Sequence, residues 1–176
     1  MDALARGIKG IEALNAGIGR AAAWLTAAMV AVQVAGVVLR YVFGLNWLVL
    51  QEGVIYLHGF GFMLAAAYTL VHDGHVRLDI VYRGASAGYR AAVDLAGSLL
   101  LLLPACGLVL AQSIPYVHRS WVSMEGSTSL SGIQAVYLLK TAIPVFAVLL
   151  GLQGLALAAR GVLVLRGRTP PDKPAA

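Results

Sequence analysis

The chain has 176 residues, 60% hydrophobic and 12% charged, against the roughly 25% charged residues of an average soluble domain, so a soluble globular fold is excluded and a membrane is the expected medium. Its 13 basic and 8 acidic residues give a net charge of +5, but the bases lie between apolar runs rather than on one solvated surface; they read as topology signals, with no nucleic acid as a partner. The one cysteine, Cys106, sits inside an apolar run, which excludes an internal disulfide or paired-thiol redox centre and leaves core filling as its role.

In chain order, residues 1–20 read as a cytoplasmic amphipathic segment. Leu4, Ile8, Ile11 and Leu14 recur at helical spacing with Arg6, Lys9 and Glu12 opposite, which suits a short helix lying on the membrane surface. Four windows free of Asp, Glu, Lys and Arg follow: Ala21 to Leu39, Gly53 to Val71, Leu95 to Val117 and Thr141 to Ala159. Each is close to the ~20 residues a helix needs to cross the hydrocarbon. Backbone groups in lipid must be satisfied internally, so these runs are helices and not strands. The first run is too long for the apolar core of a cleaved signal peptide. The expected fold class is an all-α integral membrane protein with four transmembrane helices in residues 21–160. Residues 161–176, ending RGRTPPDKPAA, have nothing to bury and are expected to be a disordered tail.

Orientation follows from lysine and arginine in the short flanks. Arg6, Lys9 and Arg20 precede the first window, Arg77, Arg83 and Arg90 lie in the second loop, and Arg160, Arg166, Arg168 and Lys173 follow the last. Only Arg40, Arg119 and Lys140 lie on the other side. Both termini and the second loop are therefore expected in the cytoplasm, with residues 40–52 and 118–140 outside.

Ionisable residues inside a span are the default functional candidates, because a charge at mid-bilayer costs roughly 2.5–3.5 kcal/mol even on the lenient insertion scale. His58 is the only one well inside a window, and a lone histidine is read first as a neutral donor to a neighbouring helix. A six-coordinate haem needs a second histidine at facing depth, whereas His118 lies at the outer end of the third window. Gln33 and Gln153 are costly to leave unpaired in lipid, so each is expected to face another helix or a missing partner. Ala147 and Gly151, then Gly154 and Ala158, repeat small residues four apart, a packing signal. Pro104 should kink the third span. No opposed broken helices, inverted repeat or central carboxylate marks a substrate pathway.

The stretch HDGHVRLDIVYRG, residues 72–84, gathers His72, Asp73, His75, Arg77, Asp79 and Arg83. A metal site needs three or four converging ligands, and Gly74 separates His72 and Asp73 from the rest. On a helix His75, Asp79 and Arg83 share one stripe, with Val76, Ile80 and Val81 away from it, so the stretch reads as an amphipathic connector. Ser86 is placed to cap the turn that leads through Tyr89 and Arg90 into the third span.

HVRLDIVY, after the apolar run ending AAAYTL, resembles the end of the second span in the small membrane subunit of tripartite ATP-independent periplasmic (TRAP) transporters. LRYVFGLNW (39–47) with Glu52 is similar to that family's first outer turn. SWVSMEGS (120–127), then Gly132 and Lys140 before the Ile-Pro at 143 and 144, is similar to its second. The similarity runs from about Gln33 to Arg160. It implies a small, non-catalytic permease subunit in a bacterial inner (cytoplasmic) membrane, surrounded by membrane lipids and bound to a large permease subunit. It also implies a periplasmic substrate-binding protein that delivers an organic carboxylate, and no cofactor in this chain, with sodium ions coupled through the large subunit. Arg40, Trp47, Glu52, His75, Arg77, Asp79, Arg83, Trp121, Glu125, Ser127 and Lys140 are the subunit-interface or structural candidates, and Arg40 and Glu52, ending successive helices on one side, are expected to pair. Many members carry paired acids where this chain has Gln51 and Glu52. The competing readings are a haem and quinone-linked membrane anchor of an electron-transfer complex, and a membrane enzyme using the His and Asp cluster.

Overall fold

The computed structural model describes residues 3–75 and 84–175. The chain forms four long helices, each apolar enough to cross a membrane: α1 (Ala3–Phe43), α2 (Leu48–Val71), α3 (Ala87–Val122) and α4 (Val136–Leu165). An all-α, multi-pass fold follows. Each sequence window lies within one of these helices, and the second ends with α2 itself, at Val71. There Gly74 donates its N–H to Thr69 O at 2.8 Å, and Asp73 takes a left-handed φ of 55°.

The first helix differs from expectation. Residues 3–20 are not a separate surface helix but the first half of a 41-residue rod, roughly 60 Å long. Its buried residues, Ile8, Glu12, Asn15, Ala16, Gly19 and Ala22, form one stripe at helical spacing that runs into the span. Leu4 and Leu14 are exposed, so the apolar face read from the sequence is only partly the packed one.

Helix α4 is the centre of the bundle, packing against α1, α2 and α3. Its composition explains this, because a helix apolar on all sides can be covered on all sides. Close approach depends on glycine. A Cβ at Gly154 would lie 2.9 Å from Leu102 Cδ2, and one at Gly161 would lie 2.9 Å from the Ala91 carbonyl. Ala147, Gly154 and Ala158 of the small-residue repeat are buried. On the other side a Cβ at Gly19 would fall 2.2 Å from Tyr68 Cβ, so α1 and α2 touch almost backbone to backbone.

Ser86 caps α3 by accepting from the Tyr89 N–H at 3.3 Å. Within α3, Ser98–Leu102 is a π-helical turn closed by the Leu103 N–H donating to Ser98 O. Pro104 explains its position: proline lacks an N–H for the carbonyl of Leu100 and its ring crowds that turn, and one wide turn relieves both. Pro115 and Pro144 also lie inside helices. Helix α4 continues past residue 160 to Leu165. Beyond it Arg20 donates to the Ala175 carbonyl at 3.3 Å, and Lys173 pairs with Asp73.

Candidate functional site

Polar side chains gather at two levels. At the end of the bundle that holds residues 44–47 and 123–135, Glu52, one turn into α2, accepts from Ser127 Oγ at 2.5 Å and from the Ile133 N–H at 2.5 Å. One carboxylate thus pins two points of the loop between α3 and α4. Gly132 makes this possible, since a Cβ there would lie 2.6 Å from both Glu52 oxygens. Glu125 anchors the same loop to α4, accepting from Lys140 Nζ at 2.5 Å and from Ser120 Oγ at 2.7 Å. The Lys140 ammonium sits 4.2 Å from the Tyr116 ring centroid, a cation–π contact. Trp121 donates its indole N–H to Thr141 Oγ1 at 2.9 Å and packs on Tyr137 with ring centroids 4.6 Å apart.

The hydrogen bond from Lys140, helped by that from Ser120, holds the Glu125 carboxyl below its ordinary value of 4.5. A carboxylate with a lowered folded-state pKa stabilises the fold in full above its ordinary value and loses that contribution as pH falls through the lowered one. The loop anchor should therefore persist at neutral pH and release only below about pH 4.5. With Trp24 and Trp47 replaced by Phe, Trp121 fluorescence should titrate in that acid range, and Glu125→Gln should abolish the transition. A transition centred near neutral pH would contradict the assignment.

The expected Arg40–Glu52 pair does not form. Glu52 is turned toward residues 127–133, and Arg40 is exposed, with its guanidinium 5.9 Å from the Tyr41 ring. Arg40 instead lines a groove of about 300 Å³ between α1 and α2, with Gln33, Gly36, Val37, Asn46, Trp47, Gln51 and Val54 among its walls. Gln51 donates to Asn46 Oδ1 at 2.7 Å. Ser127, Trp121, Glu125 and Lys140 do converge. Trp47 caps the start of α2 without a side-chain hydrogen bond.

At the other level, Arg160 of α4 makes two parallel bonds to Glu12 of α1, Nε to Oε1 at 2.5 Å and Nη2 to Oε2 at 2.7 Å. Glu12 is 1% exposed. One turn away Asn15 Nδ2 donates to Gln153 Oε1 at 2.9 Å. Gln153 therefore faces a helix, as expected, whereas Glu12, placed on the solvated face by the sequence pattern, is buried. The correction has a physical reason: a bidentate guanidinium 148 residues away neutralises it, and periodicity carries no signal for such a partner. Arg160 was legible only as a topology signal, and no sequence pattern singled out Asn15.

His75 has its Nε2 3.2 Å from the Ala66 carbonyl, which returns it to the end of α2. Arg77, Asp79 and Arg83, with the stripe they were expected to form, lie outside the described residues. Among the described residues no three His, Cys, Asp or Glu side chains are grouped to hold a metal.

Three apolar helices packed around a central fourth, with carboxylates spent on tying loop and helices together, define a multi-pass membrane subunit. The family model of the tripartite ATP-independent periplasmic transporters, DctQ component, matches residues 29–164, and the chain belongs to that family as a small permease subunit. It is a transporter component and not an enzyme. No curated protein and no solved structure matches it.

Proposed function

We propose that the chain is the scaffold of a sodium-driven TRAP transporter, bound to a large permease subunit in the bacterial inner membrane. A periplasmic binding protein delivers an organic carboxylate, and the large subunit carries the substrate and sodium sites; this chain holds no cofactor. The observation that carries the reading is the family match across all four helices. The use of Glu12, Glu52 and Glu125 as internal ties supports it, since each carboxylate is spent on the fold itself. Reconstituted with its large subunit and binding protein, the chain should be required for sodium-gradient uptake of the carboxylate. Uptake that persists without it would overturn the proposal.

The positive-inside bias supports cytoplasmic termini. Alkaline phosphatase fused after Asn46 or Ser127 should be active, and fused after Ala85 or at the C-terminus inactive. Activity at Ala85 would reverse the orientation.

A further inference from the structure

Gln33 and His58 occupy matching places in the α1–α2 hairpin. Each lies ten residues from the hairpin's tip, counted from Phe43 and from Leu48, roughly 15 Å along either helix. Both are exposed, both lie inside charge-free windows, and among the described residues neither has a hydrogen-bond partner. Leu50, Val54 and His58 share one stripe of α2, and Leu50 and Val54 wall the same groove as Gln33 and Arg40. The groove floor at Gly36 is open, with nothing within 4 Å of a Cβ built there. The most apolar window of α1 is 6% buried, against 39% for α4. The α1 side of the hairpin is thus the least covered of the four spans, and the hairpin carries a polar pair that lipid cannot satisfy.

We infer that this α1–α2 face, with Gln33, His58 and Arg40, is the surface on which a transmembrane helix of the large permease subunit docks. The inference rests on the proposed function and adds the place of contact. The chemistry specifies the occupant: a hydrogen-bonding side chain level with Gln33 and His58, and a carboxylate near the tip for Arg40, which has no acidic partner among the described residues. A phospholipid satisfies Arg40 with its phosphate, but its acyl chains offer nothing to the glutamine and histidine below. A helix satisfies both levels, and side chains such as these glue helices together in membranes.

The test uses the full chain co-expressed with the large subunit of its transporter. Gln33→Leu and His58→Leu each remove one interhelical bond and should each weaken retention of the large subunit about three-fold, and about ten-fold together. The chain's own membrane level should not fall, because leucine suits lipid better than either residue. Gln112→Leu, a glutamine likewise exposed ten residues from the end of α3 but outside the groove, is the control for intramembrane polarity alone and should leave retention unchanged. A benzophenone photocrosslinker at Val37, on the groove wall, should label the large subunit, and one at Leu108, on α3, should not. Labelling from Leu108 alone, equal loss from Gln112→Leu, or Val37 adducts only to lipid or to a second copy of this chain would overturn the face. Failure of the unmodified chain to retain the large subunit at all would instead overturn the proposed function on which the inference rests.

Discussion

Removing either partner of the Glu12–Arg160 pair is expected to be the most damaging single change in the chain, costing about 3–5 kcal/mol, because the survivor is an uncompensated charge in a buried site. Glu12 is 1% exposed and the Arg160 side chain 11%, so water does little to screen what is left. Thermal unfolding of the detergent-solubilised chain should show a large drop in midpoint for Glu12→Ala and for Arg160→Ala. Replacing both with Met should recover most of it, since a buried pair is often worth no more than apolar residues of similar volume. Full additivity of the two single losses in the Glu12→Ala, Arg160→Ala double variant would show that the two do not act as a pair. Single variants as stable as the parent would show that the charges are solvated.

Glu52 carries the second large effect, and its readout is local. Glu52→Ala removes the acceptor of Ser127 Oγ and of the Ile133 N–H. Hydrogen bonds to a charged group contribute about 1.5–3 kcal/mol each, and half-exposure at this site reduces that, so a combined loss of about 2–3 kcal/mol is expected. The helices should stay intact while residues 123–135 become open to limited proteolysis. Glu52→Gln, which keeps one carbonyl acceptor, should restore part of the protection. Gly132→Ala should reproduce the open loop by steric means, because its Cβ would lie 2.2 Å from Ser127 Oγ and 2.6 Å from the carboxylate. Arg40→Ala should leave the loop closed. Opening by Arg40→Ala, or continued protection in Glu52→Ala, would restore the Arg40–Glu52 pairing that the positions of the two residues in the sequence suggest.

These two carboxylates mark the boundary of what could be read without coordinates. The number of helices, the end of α2 at Val71, the Ser86 cap and the packing role of Ala147, Gly154 and Ala158 were all legible. Each expresses a local match between a few consecutive residues and their surroundings: an apolar window against lipid, a hydroxyl against a free N–H three residues on, a missing side chain where another helix passes. The effect of Pro104 was half legible, since a disturbed turn follows from the missing donor, while its resolution as a π turn depends on how α3 leans on α4.

The polar partners were not legible. Glu52 selects groups 75 and 81 residues away in preference to Arg40, which looks adjacent in the order of helices. Glu12 reaches 148 residues to Arg160, and its apparent place on a solvated face came from treating residues 1–20 as a separate surface element. Hydrophobic periodicity records the contrast between one element and its medium, which composition alone sets. A charge is indifferent to that contrast once a counter-charge or hydrogen-bond donors are within reach, and only the packing of α1 on α4, and of the α3–α4 loop over α2, decides which partners those are.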